Sequence, residues 1–254
     1  MTLTSDLLKG KIALITGCSR GIGHASAEAF AASGAIVYAN WRHNEMGEGA
    51  QYADYLHQKY GATVNILTYD VTDETASKKA IMQIVKEQGR IDLLVNNAGI
   101  MEDALVGMIS HNLMLKIFET NVFATMNHLQ LCARIMKKHG SGSIVNLASI
   151  VGINGNAGQS VYAASKGAVI ALTKTAAKEL AEYGIRVNAL APGMIDTDMY
   201  RSIGEERMHE QLKQIKFGRL GTPEEVANAA VLLSSDLASY ISGQILGVDG
   251  CAIV

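Results

Sequence analysis

The sequence predicts an α/β fold: one doubly wound domain over residues 1–254, with a seven-stranded parallel sheet flanked by helices on both faces. Three observations predict it. Seven short apolar runs recur along the chain, most of them near-continuous rather than alternating, as strands covered on both faces require. Segments with helical spacing of apolar residues lie between them. The first four runs begin at residues 12, 36, 64 and 91, and these spacings match strand–helix–strand units.

Each element follows in chain order. Ile12–Ile15 is apolar throughout and is the first strand. It ends at a glycine-rich turn that gives way to helical spacing over Ala25–Ala32. Ile36–Ala39 and Val64–Leu67 are the second and third strands, and Ala76–Val85 is a helix. Ile91–Val95 is the fourth strand, followed by a long helical stretch over Leu113–Met136. Gly140-Ser-Gly-Ser is a turn before the fifth strand, Ile144–Leu147. The helix Val161–Leu180 leads into the sixth strand, Ile185–Leu190, which Pro192-Gly193 closes. Val226–Leu233 is the last helix and Ile245–Val248 the last strand. There are only two prolines and no Ser- or Pro-rich tract, so no linker divides the pattern.

Composition narrows the function classes. Of 254 residues, 48% are apolar and 18% charged, and 22 Lys+Arg against 24 Asp+Glu leave a net charge of −2. That excludes a disordered chain and gives no electrostatic reason to expect a nucleic-acid or membrane partner. No apolar run approaches the roughly 18 residues that span a bilayer. The start, Met1-Thr-Leu-Thr-Ser-Asp, lacks the basic head and apolar stretch of a secretory signal. Cys18, Cys132 and Cys251 are widely separated and suit neither a disulfide framework nor a metal site. The expectation is a soluble cytoplasmic protein that binds no metal.

The first candidate site is the turn Thr16-Gly17-Cys18-Ser19-Arg20-Gly21-Ile22-Gly23. Glycines at 17, 21 and 23 let the backbone turn sharply and approach a ligand, and the following helix start offers free N–H groups to a pyrophosphate. Glycines are also common in ordinary strand-to-helix turns. The place of this turn after the first strand, together with the residues below, points to a Rossmann-like dinucleotide site. The second strand leads to Trp41-Arg42-His43, and no Asp or Glu lies between Ala35 and Asn44. An acid there would hold the ribose 2′-hydroxyl of NAD, whereas arginine accommodates a 2′-phosphate. Arg42 and Arg20 together favour NADP(H).

Asn96-Asn97-Ala98-Gly99 follows the fourth strand, at the carboxyl edge where doubly wound sheets bind ligands. Ser149 follows the fifth. Tyr162 and Lys166 stand one helical turn apart early in the next helix. An ammonium beside a phenol, with a positively charged nicotinamide in one redox state, favours phenolate and lowers the phenol pKa, which makes Tyr162 a proton donor to a carbonyl oxygen when hydride arrives from the cofactor. Ser149 is placed to stabilise charge developing on that oxygen. Each of these residues alone has an ordinary structural reading.

Together they resemble the short-chain dehydrogenase/reductase family, in order, from Lys9 to about Asp249. Thr16–Gly23 matches its TGxxxGIG cofactor turn, with Gly17, Ser19, Arg20, Gly21, Ile22 and Gly23 as implied cofactor contacts. Asn96-Asn97-Ala98-Gly99 matches its NNAG element. Asn121, Ser149, Tyr162 and Lys166 match its catalytic tetrad. The implied roles are Tyr162 as acid/base, Ser149 orienting the carbonyl, Lys166 holding the cofactor ribose, and Asn121 positioning a water. Asp70-Val71 resembles the pair that contacts adenine; the same residues equally suit a helix cap. Pro192-Gly193-Met194-Ile195-Asp196-Thr197 resembles the PGxxxT segment, implying contacts from Pro192, Gly193, Ile195 and Thr197 to the cofactor.

Within the family, Arg186–Met199, Gly218–Val226 and Ser242–Gly250 are most similar to bacterial 3-oxoacyl-acyl-carrier-protein reductases. The resemblance implies NADPH-dependent reduction of a 3-oxoacyl thioester in fatty acid biosynthesis. The alternatives are an NADP-dependent dehydrogenase of a small alcohol, sugar or steroid, and a catalytically inactive binding member. Nucleotide hydrolysis is disfavoured because the glycine turn lacks a Gly-Lys-Ser/Thr ending. An acidic carrier protein as partner calls for a basic patch beside the cleft, and Arg134, Lys137 and Lys138 are candidates. Equally, these residues suit a helix C-terminus. Met194–Phe217 is the expected substrate lid. The apolar helices Leu113–Lys138 and Val161–Leu180 and the tail Gln244–Val254 suggest, with the family likeness, a homotetramer of 222 symmetry.

Overall fold

A computed structural model describes residues 6–44, 47–198 and 212–252. Seven strands form one parallel sheet in the order β3-β2-β1-β4-β5-β6-β7. They are β1 Ile12–Ile15, β2 Ile36–Trp41, β3 Val64–Thr68, β4 Leu93–Asn96, β5 Gly142–Leu147, β6 Ile185–Pro192 and β7 Ile245–Val248. The helices are α1 Gly21–Ala32, α2 Glu48–Tyr60, α3 Glu74–Gln88, α4 His111–Phe118, α5 Ala124–His139, α6 Val151–Asn154, α7 Ser160–Leu180 and α8 Pro223–Ser234.

The period-two geometry of a strand explains the continuous apolar runs. Ala13, Ile15, Val37, Leu93 and Val145 join α1, α2 and α8 in the core on one face. Ile12, Leu14, Tyr38, Leu94 and Ile144 join α3, α5 and α7 on the other. Strands β1, β2, β4, β5 and β6 are therefore sandwiched, whereas β3, at the sheet edge, buries only Leu67.

The differences from expectation have local causes. Helix α2 was not expected, because it buries only Gly49, Tyr52 and Leu56 among polar neighbours. The fourth strand begins at Leu93 rather than Ile91. Asp92, buried just before it, accepts from Ile12 N at 2.8 Å and pairs with Arg90, anchoring the strand entrance. The long helix is interrupted by a π-turn, Glu119–Phe123, between α4 and α5. At the sheet edge, β7 leaves Leu246 exposed instead of covered on both faces. Most of the expected lid, residues 199–211, lies outside the described residues, as do Ile253 and Val254. The described part of the tail is not free: Phe217 N donates to Gly250 O at 3.1 Å, and Ile215 bridges Ala252.

Strand order reverses between β1 and β4, and this is what positions the site. The loops after β1 and β4 diverge to opposite sides, leaving a crevice at the carboxyl edge.

Candidate active site

The glycine turn after β1 is built into the mouth of that crevice. Gly17 N donates to Asn40 Oδ1 at 3.1 Å and Cys18 N to Asn40 O at 2.8 Å, so the end of β2 fixes the turn. Asn97 Nδ2 reaches back from the β4 end to Thr16 O (2.8 Å) and Gly17 O (3.0 Å). Thr16 Oγ1 accepts from Asn97 N and Ala98 N, both at 3.0 Å. A side chain at Gly23 would collide with the Gly17 carbonyl oxygen and the Asn97 amide. Gly21 differs: its φ is +57°, and an added Cβ would meet nothing closer than Thr197 Cγ2 at 3.5 Å. Helix α1 starts there with no side-chain cap and no acid in its first turn. Free N–H groups, a positive helix end and an open backbone approach fit a pyrophosphate. Cys18 plays no chemical part, since complete burial pushes its thiol pKa well up.

All the residues expected to hold a cofactor line one cleft of about 540 Å³. Gly17, Ser19, Arg20, Gly21, Ile22 and Gly23 form its floor, with Arg42, Asp70 and Val71 at one end. Asn97, Ala98, Gly99, Pro192, Gly193, Ile195 and Thr197 line it as well. Arg42 is engaged at one edge of its guanidinium. Its Nε lies 2.9 Å from Asp70 Oδ2. Burial alone would raise the Asp70 pKa, but hydrogen bonds from Thr72 and the Arg42 charge outweigh it and hold the carboxyl below its ordinary range.

Ser149, Tyr162 and Lys166 line the same cleft. The Ser149 hydroxyl stands close enough to the Tyr162 phenol to favour its ionised form. Ser149 Oγ also accepts from Val151 N at 3.2 Å, which α6 supplies. Lys166 is 5% exposed; its Nζ donates to Leu147 O at 2.7 Å and lies 5.7 Å from the Tyr162 ring centroid. The expected lowering of the Tyr162 pKa by Lys166 is not what the structure shows. Burial dominates and raises the phenol pKa, and the Ser149 hydrogen bond opposes it. Burial also pushes the Lys166 ammonium down to about 8.

Asn121 stands behind the cleft wall rather than on it. It sits in the π-turn, where its Oδ1 accepts from Ile100 N and its Nδ2 donates to Ile100 O, each at 2.9 Å. Nδ2 also donates to Ser165 Oγ at 3.0 Å. Asn121 thus joins the segment after Gly99 to the helix bearing Tyr162 and Lys166. Single π-turns recur where a side chain must be re-aimed within a helix.

Two positioning residues had no motif to reveal them. Asn40 holds the glycine turn from β2, and its Nδ2 donates to Tyr69 O at 2.9 Å. Gln159, which precedes α7, donates to Asp103 Oδ1 at 3.0 Å and lines the cleft. Both act across distant parts of the chain, and only an asparagine or glutamine near a strand or helix end hints at them. The basic cluster Arg134, Lys137 and Lys138 is not beside this chain's cleft. It ends α5, which leads into the start of β5, so it lies at the opposite edge of the sheet. Lys137 instead covers the Tyr183 ring at 4.0 Å.

A family model described as enoyl-(acyl carrier protein) reductase matches residues 17–251. The 3-oxoacyl-acyl-carrier-protein reductase FabG of Thermotoga maritima is 43% identical over 248 residues, covering 97% of this chain and 99% of that protein. Its counterpart in Chlamydia muridarum is 42% identical over 246 residues, or 97% and 98% of the two chains. That of Escherichia coli is 42% identical over 242 residues, or 95% and 97%.

Proposed function

The chain belongs to the short-chain dehydrogenase/reductase family of oxidoreductases, which act on carbonyl and hydroxyl groups with a nicotinamide cofactor; from that premise we propose that it reduces the 3-oxo group of an acyl thioester, carried on acyl carrier protein, with NADPH. The near-full-length similarity to 3-oxoacyl-acyl-carrier-protein reductases is the observation that carries the substrate class. The NADPH preference rests on Arg42 and Arg20 in one cleft, with no acid directly after β2.

The cofactor would be held by the α1 N–H groups at its pyrophosphate, by Arg20 and Arg42 at the 2′-phosphate, and by Lys166 at the ribose. When bound, it supplies the hydride. The protein supplies everything else. Burial keeps the Tyr162 phenol protonated at neutral pH, so its proton is available to the carbonyl oxygen. Ser149 shares that hydrogen bond and is the second donor to the same oxygen, stabilising its negative charge. Two donors converging on one oxygen suit a carbonyl. Asn121 holds the surrounding segments in register and positions a water that returns a proton to Tyr162.

Outside the cleft, β7 presents an unpaired edge, and Leu246, Leu237 and Tyr240 are exposed near it; Met114, Leu115, Phe123 and Met126 are exposed on α4, the π-turn and α5. Covering both surfaces by two-fold contacts gives a homotetramer. No helix among the described residues is long and apolar enough to cross a membrane. The proposed site of action is the cytoplasm.

The test is a panel of substrates followed through NADPH absorbance. Acetoacetyl thioesters of acyl carrier protein and of coenzyme A, an enoyl thioester and simple sugar or steroid ketones are compared. Preferential turnover of the 3-oxoacyl thioesters supports the proposal; preference for any other class contradicts it.

A further inference from the structure

Arg42 and Asp70 were expected to serve different parts of a cofactor, yet they meet. Asp70 is a fixed partner. Its Oδ1 accepts from Thr72 N (2.9 Å) and Thr72 Oγ1 (2.7 Å), which leaves Oδ2 facing Arg42 Nε at 2.9 Å. The backbone beside it is tied to β2: Tyr69 N donates to Trp41 O at 3.0 Å, and Tyr69 O accepts from Asn40. The Arg42 side chain, by contrast, is 67% exposed. A long arginine at such exposure loses rotamer freedom when a ligand arrests it. Contact through Nε secures one edge of the guanidinium and leaves both terminal amino groups for a second anion.

We infer that Asp70 is the positioning residue of Arg42, holding the guanidinium so that its terminal amino groups meet a 2′-phosphate and thereby setting the preference for the phosphorylated cofactor. The inference rests on the NADP(H) reading above. The Asp70 charge also repels a phosphate, and solvent screens that repulsion at this exposure.

A double-mutant cycle on binding tests this without turnover. Trp41 is the only tryptophan and lies next to Arg42, so energy transfer from it reports NADPH and NADH binding, with calorimetry as a check. Asp70→Asn keeps an oxygen for Thr72 and removes the charge. It is expected to weaken NADPH binding about three- to tenfold more than it weakens NADH binding, since any adenine contact of Asp70 is common to both cofactors. In an Arg42→Ala background its effects on NADPH and NADH binding should agree within about twofold. Asp70→Ser gives the same pattern and substitutes should the asparagine variant fold poorly. Equal weakening of both cofactors, tighter NADPH binding, or a loss confined to NADPH that persists without Arg42 would each overturn the inference. A wild-type protein that prefers NADPH in any of those cases leaves the cofactor reading standing. Equal wild-type affinity for the two cofactors removes that reading and the inference together.

Discussion

Lys166 and Tyr162 move in opposite directions from their ordinary pKa values, and burial is the cause of both shifts. The Lys166 ammonium is present below about pH 8 and is lost above it. The Tyr162 phenol stays protonated throughout that range. Carbonyl reduction needs the charged ammonium and the protonated phenol, so its rate is expected to hold through neutral pH and decline above about pH 8. A pH–rate profile measured at saturating cofactor checks this, and a rate that climbs through that region contradicts it. The glycine turn and the Tyr162/Lys166 pair stand out in the sequence because each is a short local pattern, whereas Asn121 and Ser149 join them only through the family resemblance. Asn40 and Gln159 were not legible, because their partners Gly17 and Asp103 lie 23 and 56 residues away. The Arg42–Asp70 pair escaped for the same reason: no spacing rule joins the ends of two adjacent parallel strands.

Helices and strands differ in how openly the sequence declares them. The sandwiched strands β1, β2, β4, β5 and β6 were readable from apolar runs alone, since both faces are filled. Helix α2 was hidden by having so little to bury, and the π-turn by a helical pattern that runs on either side of it. Helix α8 is set by its start. Thr222 Oγ1 accepts from Glu225 N at 3.3 Å, and Glu225 Oε2 accepts from Thr222 N at 2.8 Å, with Pro223 at the first helical position. Arg219 grips the same carboxylate, and it is the main cause of a Glu225 pKa held down at about 2. Because α8 lies against α1, this cap supports the helix that opens the cofactor turn. Thr222→Ala is expected to cost about 1 kcal/mol of stability in denaturant titration. Cofactor binding by the folded variant should hardly change. A loss of binding without a loss of stability would show that the cap acts on the site directly.

At the scale of the whole molecule, the reversal of strand order explains why residues from Gly17 to Thr197 share one cleft. It also explains why the basic end of α5 falls on the other edge of the sheet. The topology was legible from the alternation of strands and helices, whereas the surfaces that meet other copies were legible only as surplus apolar sequence. Light scattering at micromolar concentration is expected to give four times the chain mass of 27.1 kDa. A value at the chain mass itself contradicts assembly, and a dimer removes one of the two contacts. Chemistry remains the central claim, and it places proton donation on Tyr162 in an NADPH-dependent reduction. The most direct test compares wild type with Tyr162→Phe, measuring NADPH consumption on acetoacetyl-acyl-carrier protein and NADPH affinity in the same preparations. The predicted result is turnover by wild type, its loss in the variant, and NADPH affinity preserved in both. Near-wild-type turnover by the variant would contradict it.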